Sequence, residues 1–415
     1  MSKIHVVGAG VAGLAAAVDM AAAGREVVVH EGAGHAGGRC RSFHDEALGR
    51  RIDNGNHLLL SGNRSARAYL ARIGASDSLT EPAEARFPFL DLSNGERWEV
   101  HPNAGRLPWW IAVPSRRVPG SRARDYLRAL ALHKAGPDAS VADVMSAAGP
   151  AFERFWEPLA VAVLNTAADE AAAHLLWPVM AEVFGQGGSA CRPLIARDGL
   201  SESFVDPALA WLATRGCPVR FNRRLRAVEI EAGRVAALRF GEDEVRPGPG
   251  DAVVLALPAP VLGGLLPEIT TPDAHRAIVN AHFLLPGPPA RDLVFLGLTG
   301  GTAHWLFVRG EIASVTVSAA DVLAEQSNDA VAATIWPEVA RALGRRGEAM
   351  PPVRIIKEKR ATFAQTPAQV RRRPAPRTAW PNLVLAGDWT DTGLPATIEG
   401  AIRSGQRAAA IVLTS

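Results

Sequence analysis

Glycines at a spacing suited to phosphate binding lie near the N-terminus, where Gly8, Gly10 and Gly13 form a Gly-x-Gly-x-x-Gly motif that also contains Ala12. The first glycine permits a tight turn, the second lets the backbone approach a pyrophosphate, and the third lets a helix pack closely on a strand. Glu31 follows Gly13 by eighteen residues, where an acid can hold the ribose hydroxyls of an adenosine. This spacing predicts a dinucleotide site.

The sequence around the motif supplies the elements that the site needs. An apolar run over residues 4–7 predicts a strand before it, and an alanine-rich stretch from residue 11 to about 23 predicts a helix after it. Residues 27–30 predict a second strand that leads into the acid. A continuous apolar run over 251–258 predicts a further buried parallel strand. Together these elements predict a Rossmann-like α/β unit.

Composition limits the class of protein. The 415 residues exceed the usual size of one hydrophobic core, so we expect two domains. A net charge of +3 argues against a nucleic-acid partner. The run Arg371, Arg372 and Arg373 is interpreted as a solvated loop, with an anion site as the less favoured alternative.

Three widely spaced cysteines predict no metal site and favour a cytoplasmic location. Neither a signal peptide nor a transmembrane helix is predicted.

The residues after Glu31 distinguish FAD from NAD. They contain a Gly-Gly-Arg loop ending in Gly38 and Arg39. This loop resembles the flavoprotein superfamily that includes amine oxidases, protoporphyrinogen oxidases and phytoene desaturases, in which it approaches the cofactor diphosphate. An NAD enzyme needs no matching C-terminal element, whereas this chain carries Gly387 and Asp388 near its end. The cofactor is therefore predicted to be FAD, with these four residues among those that bind it.

The resemblance assigns further roles near the C-terminus. It implies that Asp388 meets the ribityl or diphosphate part of FAD. It also implies a helix that starts near residue 396 and directs its N-terminus at the flavin pyrimidine, with Pro395, Thr397 and Ile398 among the cofactor-binding residues. Val228 is implied to offer backbone hydrogen bonds to the adenine, and the alternative is that Val228 is only a strand residue.

These motifs define the expected architecture. We expect an α/β fold with a discontinuous, Rossmann-like FAD-binding domain formed by residues 1–85, 194–265 and 376–415. Residues 86–193 and 266–375 are expected to form an inserted substrate-binding domain, a mixed sheet with helices on one face. Within the second insert, the apolar pattern predicts a helix over about 328–343.

A short segment after the Gly-Gly-Arg loop contains the candidate catalytic groups. In the related flavoproteins a comparable segment brings its backbone close to the flavin, which implies a cofactor-binding role for Gly55. Asn56 and His57 are then the best candidates for polar side chains near the isoalloxazine. His57 could act as a general acid, because the pKa of imidazole lies near the working pH. The alternative is that both side chains only fix the loop geometry.

Aromatic residues are unevenly distributed, with ten tryptophans against two tyrosines. As a set they suit a long apolar substrate and a developing cation, although any one of them is more often plain core. The members that lie in the predicted substrate segments or next to the Gly-Asp motif are Trp109, Trp110, Trp156, Trp177, Trp305, Trp336, Trp380 and Trp389. Trp109 and Trp110 lie beside several arginines, which is typical of a membrane interface. The alternative is an internal apolar strand followed by an exposed amphipathic helix.

Longer stretches resemble one branch of this superfamily, the bacterial squalene-associated FAD family, whose members are hydroxysqualene dehydroxylases of hopanoid synthesis. They cover residues 53–63, 156–159, 164–166 and 387–399. The resemblance implies reduction of hydroxysqualene, an apolar isoprenoid, to squalene: water leaves, an allylic cation forms, and the reduced flavin supplies hydride. It also implies an electron donor, which the sequence does not identify. Association with the cytoplasmic face of a membrane is expected from Trp109, Trp110 and the arginines beside them.

Proteins with other functions carry the same FAD-binding motifs. Amine oxidases often carry a tyrosine two residues before the Glu-Gly of the last helix, and Thr397 at this position argues against amine oxidation. An oxidative, phytoene-type desaturase acts on an equally apolar substrate and stays an alternative. A non-catalytic carrier of prenyl lipids is disfavoured, because this chain retains complete Gly-Gly-Arg and Gly-Asp elements.

Overall fold

The architecture combines a parallel five-stranded sheet with a larger mixed sheet in a computed structural model that describes residues 2–289 and 293–414. Residues 290–292 belong to the predicted second insert and lie outside the described residues. The strands, in chain order, are β1 (Lys3–Val7), β2 (Glu26–His30), β3 (Ser42–Asp45), β4 (Arg50–Asp53), β5 (Leu59–Leu60), β6 (Leu79–Thr80), β7 (Phe87–Asp91), β8 (Arg97–Val100), β9 (Pro193–Ala196), β10 (Val219–Arg220), β11 (Ala227–Glu231), β12 (Arg234–Phe240), β13 (Asp243–Val245), β14 (Ala252–Leu255), β15 (His275–Leu284), β16 (Phe295–Thr299), β17 (Trp305–Arg309), β18 (Ile312–Val317), β19 (Val353–Phe363) and β20 (Leu383–Leu385).

Helices connect and cover these strands. They are α1 (Val11–Ala22), α2 (Arg64–Arg72), α3 (Ala123–Leu127), α4 (Val141–Met145), α5 (Glu157–Leu164), α6 (Ala173–Glu182), α7 (Gly188–Cys191), α8 (Asp206–Ala213), α9 (Ala259–Leu265), α10 (Asp321–Glu325), α11 (Asn328–Leu343), α12 (Pro367–Val370) and α13 (Ile398–Leu413). Short 3-10 turns cover Trp109–Ala112, Pro114–Arg116 and Arg128–Lys134. Among the described residues, no helix has the length and apolar character needed to cross a bilayer.

The parallel sheet unites the two ends of the chain in the strand order β10-β2-β1-β14-β20. In β1, Ile4 lies opposite Val27 on one side and Ala252 on the other, and Val253 of β14 lies opposite Leu383 of β20. The carboxyl ends of parallel strands meet at one edge of a sheet. The glycine motif after β1 and the Gly-Asp pair after β20 therefore lie on the same edge, which confirms the predicted Rossmann-like fold.

Helices α1 and α13 pack against each other on this sheet through their small residues. A Cβ at Gly405 of α13 would lie 2.1 Å from the carbonyl oxygen of Ala12 in α1, so the contact excludes any side chain there. Both helices contribute to one apolar cluster, which includes Leu14 of α1 and Ile402 of α13. The N-terminal and C-terminal parts of the nucleotide-binding region are thus held together by close packing.

The mixed sheet has the strand order β19-β15-β18-β17-β16-β7-β8, in which β7 and β16 are parallel and the other neighbours are antiparallel. One face packs on α11 in an apolar cluster that includes Val315 and Trp336. From the other face, Trp305 and Phe307 join a second apolar cluster with residues of α5 and α6. Helical residues thus pack on both faces of the mixed sheet, whereas the sequence predicted helices on only one face.

The boundaries of the two domains remain a prediction.

Candidate active site

The glycine motif forms the turn between β1 and α1. Gly8 has a φ of +107°, and a Cβ at Gly8 would lie 2.3 Å from the carbonyl oxygen of Ala256. A Cβ at Gly13 would lie 1.9 Å from the Gly8 carbonyl oxygen. At Gly10, by contrast, a Cβ would meet no described atom within 4 Å outside its immediate surroundings in the chain. Packing therefore requires Gly8 and Gly13, while Gly10 borders open space at the N-terminus of α1, a location suited to a diphosphate.

The Gly-Gly-Arg loop lies against this turn. The backbone N–H of Gly37 donates to the carbonyl of Ala9 at 2.8 Å, and Gly37 forms a parallel bridge with Gly10. A Cβ at Gly38 would lie 3.6 Å from the Cα of Gly10. The structure thus brings Gly10 and Gly38 together around one open cradle, and their contact with a diphosphate remains a prediction.

Glu31 follows β2, and its carboxylate contacts the same region. Oε2 accepts a hydrogen bond from the backbone N–H of Ala9 at 2.7 Å, and Oε1 accepts one from Ala33 at 2.8 Å. These bonds fix the glycine turn relative to β2. Each carboxylate oxygen keeps a further lone pair that can accept from a ribose hydroxyl, so the predicted contact is compatible with the geometry.

Arg39 and Asp388 form an ion pair between the two ends of the chain. Arg39 Nη2 lies 2.8 Å from each carboxylate oxygen of Asp388, and Arg39 Nη1 donates to the carbonyl of Ala361. Asp388 is 7% exposed, and its charge raises the pKa of the Arg39 guanidinium above the ordinary value. The sequence predicted separate cofactor contacts for these two residues. The structure joins them to each other beside the cradle, and their contacts with the cofactor remain predictions.

The start of α13 is fixed by a side-chain cap. Thr397 Oγ1 accepts a hydrogen bond from the backbone N–H of Gly400 at 3.1 Å. Pro395 lies just before this cap, and Ile398 is the first residue of α13. The free N–H groups of the first turn give this helix end a partial positive charge. Their predicted contact with the flavin remains untested.

Gln365 links this helix start to the mixed-sheet region, and the sequence analysis did not identify it. Its fully buried side chain accepts a hydrogen bond from the N–H of Ala396 at 3.0 Å and donates to the carbonyl of Leu164 at 2.7 Å. Its backbone N–H donates to Thr166 Oγ1 at 2.9 Å. The segment 164–166, singled out for its resemblance, therefore supports the C-terminal motif.

Arg373 is buried, so the predicted solvated loop is wrong for this residue. Its Nη2 donates to the carbonyls of Asp388 and Thr390, at 3.3 Å and 2.5 Å. Burial lowers the pKa of Arg373 to about 10. Arg371 and Arg372 do pair with surface acids. The carbonyl groups after Gly387 need a donor in a buried turn, and Arg373 supplies it.

The segment with Gly55 and Asn56 lies on the inner face of the mixed sheet, the face that carries Trp305 and Phe307. Asn56 Nδ2 donates to Thr316 Oγ1 at 3.0 Å. A Cβ at Gly55 would lie 3.1 Å from Asn280 Nδ2. Asn280 and Thr316 were not predicted, although polar residues at alternate positions of β15 and β18 were a detectable signal.

His57 is next to this contact, and its environment corrects one argument. Burial lowers the pKa of His57 to about 4, so the prediction of a pKa near the working pH is wrong. A neutral imidazole can donate or accept a hydrogen bond, but very little of it carries the extra proton that a general acid donates at neutral pH. The structure therefore favours a polar contact for His57 over general acid catalysis.

The remaining predicted residues are dispersed. Val228 is half-buried in β11, an edge strand of the sheet β11-β12-β13, so one edge of β11 is unpaired within that sheet. The tryptophans do not form one aromatic wall. Trp156 and Trp305 lie in the cluster on the inner face, Trp336 lies behind the sheet, and Trp389 packs under the C-terminal motif.

Comparisons with known proteins identify the family. The model of flavin containing amine oxidoreductases matches residues 11–413. The chain belongs to this family. Hydroxysqualene dehydroxylases are among its relatives: that of Rhodopseudomonas palustris is 48% identical over 417 residues, covering 100% of this chain and 99% of the relative. That of Zymomonas mobilis is 46% identical over 414 residues and covers 100% of both. Putrescine oxidase bound to putrescine shares the fold, with a TM-score of 0.72 at 16% identity over 100% of this chain and 99% of that one.

As a member of the flavin-containing amine oxidoreductases, this enzyme uses FAD. The residues present fit the cofactor, because the cradle between Gly10 and Gly38 is open where a diphosphate would lie. Glu31 contacts the glycine turn, where its predicted bond to the ribose would form, and Arg39 with Asp388 lies beside the same cradle. The resemblance to the squalene-associated branch is confirmed by the two relatives.

Proposed function

We propose that this flavoprotein reduces hydroxysqualene to squalene. The supporting observation is the full-length similarity, at 46–48% identity, to relatives named hydroxysqualene dehydroxylases. In the proposed reaction the C–O bond breaks, the hydroxyl takes up a proton and leaves as water, and a C–H bond forms at the same carbon. Reduced FAD supplies the hydride when it is bound.

The chain contributes an apolar and aromatic environment for this step. Phe295 and Phe307 stack with ring centroids 6.5 Å apart on the inner face of the mixed sheet, and Trp305 packs beside Phe295. Aromatic faces stabilise a developing carbocation, and a dry site protects it from water. Leu58, next to His57, packs against this same cluster. The polar groups at Asn56 and His57 thus adjoin the apolar region that suits a long isoprenoid.

Anaerobic single-turnover chemistry tests this proposal. The purified holoenzyme is reduced, mixed with hydroxysqualene, and followed by flavin absorbance and product analysis. We expect flavin reoxidation with one squalene formed per flavin. Flavin that stays reduced with hydroxysqualene, while the oxidised enzyme dehydrogenates an isoprenoid, would assign the chain to the oxidative desaturases instead.

We also infer that the enzyme docks on an anionic membrane surface at the cytoplasmic side. The docking surface would be the basic segment, residues 104–134, which contains seven Lys or Arg residues and one acid, Asp125. This segment has a net charge of +6 in a chain with +3, so the other residues together carry −3. Apolar side chains with surrounding arginines match the headgroup region of a bilayer.

Exposure of apolar side chains supports the same surface. Leu107 is 77% exposed, Leu130 is 63% exposed, and Trp109 and Leu127 are about half exposed. These are four of the nine large apolar side chains exposed in the described part of the chain. Trp110, by contrast, is buried, so only one of the two tryptophans in the sequence prediction can reach a membrane. The buried side chains of the segment join the cluster that contains Trp305.

Vesicle sedimentation tests the docking surface. We expect the holoenzyme to bind vesicles containing phosphatidylglycerol more tightly than pure phosphatidylcholine vesicles. Replacing Leu107 and Trp109 by Ser should weaken binding at least about tenfold, because each buried apolar side chain contributes about 1.5–3 kcal/mol. Val322→Ser, at an 82% exposed position of α10, is the control. Equal vesicle binding by both variants would contradict the surface.

A further inference from the structure

A row of three polar groups crosses the inner face of the mixed sheet. Trp305 of β17 lies opposite Thr316 of β18, and Thr316 lies opposite Asn280 of β15. The same face carries Phe307, and Phe295 contributes to the same apolar cluster. Asn56 contacts the row from the loop above it. Polar groups in such surroundings cost free energy unless each finds a partner.

The direction of the hydrogen bonds along this row is determined at the end formed by Asn280. The carbonyl of Asn54 can only accept, so Asn280 directs Nδ2 to it at 3.4 Å. Asn280 Oδ1 then accepts from Thr316 Oγ1 at 2.7 Å, and Thr316 in turn accepts from Asn56 Nδ2 at 3.0 Å. This order leaves Asn56 Oδ1 as an acceptor that has no hydrogen-bond partner among the described residues.

At the other end of the row, the indole N–H of Trp305 is a hydrogen-bond donor without an acceptor in the described part of the chain. Trp305 is 7% exposed, and its indole Nε1 is buried without a hydrogen-bond partner in residues 2–289 and 293–414. Its ring packs against Phe89 and Phe295, at centroid distances of 5.6 Å and 6.4 Å. A buried N–H with no acceptor is costly, and an acceptor supplied by a ligand would remove this cost.

We propose that this row is the subsite for the substrate hydroxyl, an inference that rests on the proposed function. An alcohol accepts one hydrogen bond and donates another. The Trp305 N–H donates to the hydroxyl oxygen, and the hydroxyl donates to Asn56 Oδ1. Thr316 and Asn280 are positioning residues that hold the Asn56 amide in this orientation. Squalene lacks the hydroxyl and leaves both groups unpaired, so the subsite retains the substrate and releases the product.

Ligand binding to the oxidised holoenzyme tests the subsite without turnover. Oxidised flavin delivers no hydride, so hydroxysqualene and squalene can each be titrated while flavin absorbance is followed, or placed in competition. We expect the wild type to prefer hydroxysqualene at least about tenfold. Trp305→Phe keeps an aromatic ring but removes the indole N–H, and should abolish most of this preference. Thr316→Val should do the same, and Thr316→Ser should restore it.

Matched variants separate the subsite from general damage. Trp336→Phe removes an indole whose Nε1 donates to the Glu348 carbonyl at 3.1 Å behind the sheet, and should keep the wild-type preference. Flavin content verifies that each variant is folded. A wild-type preference retained in both Trp305→Phe and Thr316→Val overturns the subsite, even if the reduced enzyme forms squalene. If the reduced wild type forms no squalene, the proposed function itself fails.

Discussion

At the scale of single residues, Asp388 combines burial with an ion pair. Its carboxylate holds Arg39, a residue 349 positions earlier in the chain, beside the cofactor cradle. Asp388→Ala should leave that guanidinium unpaired and weaken FAD binding at least about tenfold. The ratio of flavin to protein absorbance after desalting measures this effect. Glu325→Ala removes an exposed carboxylate paired with Lys359 and serves as the control. Normal flavin content in Asp388→Ala would refute the assigned role.

His57 allows a second prediction at this scale. Because burial lowers its pKa to about 4, the imidazole stays neutral above about pH 5. We expect His57→Ala to keep FAD and to lose about tenfold in turnover, the cost of one hydrogen bond. The pH profile of kcat/KM for the wild type should show no inflection from His57 between pH 6 and 8. An inflection near pH 6.5 that disappears in His57→Gln would restore the general acid.

At the scale of elements, the N-terminus of α13 joins stability to cofactor binding. Thr397→Val removes the cap on Gly400 and should cost about 1 kcal/mol in the free energy of unfolding. It should also weaken FAD binding, while Thr397→Ser should preserve both. Ser327→Ala removes the corresponding cap of α11, where Ser327 Oγ accepts from the N–H of Ala330. If both cap variants lose stability but neither loses FAD affinity, the helix start does not contact the flavin.

Elements were predictable from sequence where their signals are local. The predicted helix over 328–343 corresponds to α11, because Ser327 caps its start and Gly344 ends it with a φ of +75°. The row of Asn280 and Thr316 was not predictable, because it depends on the register between β15 and β18, separated by some thirty residues. Register is set by packing and turns across the whole sheet.

The burial of ionisable side chains was the other feature that the sequence could not reveal. Nothing in the sequence distinguishes the three consecutive arginines, yet Arg373 is buried while its two neighbours form ion pairs at the surface. Likewise, the lowered pKa of His57 follows mainly from burial, which the local sequence does not determine. The glycine motif after β1 was predictable because Gly8 and Gly13 meet local requirements of backbone conformation and close packing.

At the scale of the whole molecule, buried histidines make stability depend on pH. Burial lowers the pKa of His30 to about 3 and that of His282 to about 4. Unfolded histidine has a pKa of about 6.5, so below that pH the unfolded chain binds protons that the folded chain excludes. The free energy of unfolding should therefore fall as pH decreases from about 6.5 to 4, by on the order of a few kcal/mol.

Thermal unfolding measured across this pH range checks the effect. The apparent unfolding temperature should fall from pH 7 to pH 4.5, and His282→Asn should reduce the slope. His133→Asn, at an exposed position, should leave the slope unchanged. The same slope in His282→Asn as in the wild type would exclude His282 as a source of the effect.

The contact of Gly405 with Ala12 bears on how the protein acquires its cofactor during synthesis. A ribosome delivers the N-terminal glycine turn hundreds of residues before it delivers β20 and α13. Until then the nascent chain has the glycine turn without Asp388 or the helix that packs on α1. We therefore expect FAD to bind only after β20 and α13 have been synthesised, so that flavin loading would report the packing of these elements against the glycine turn.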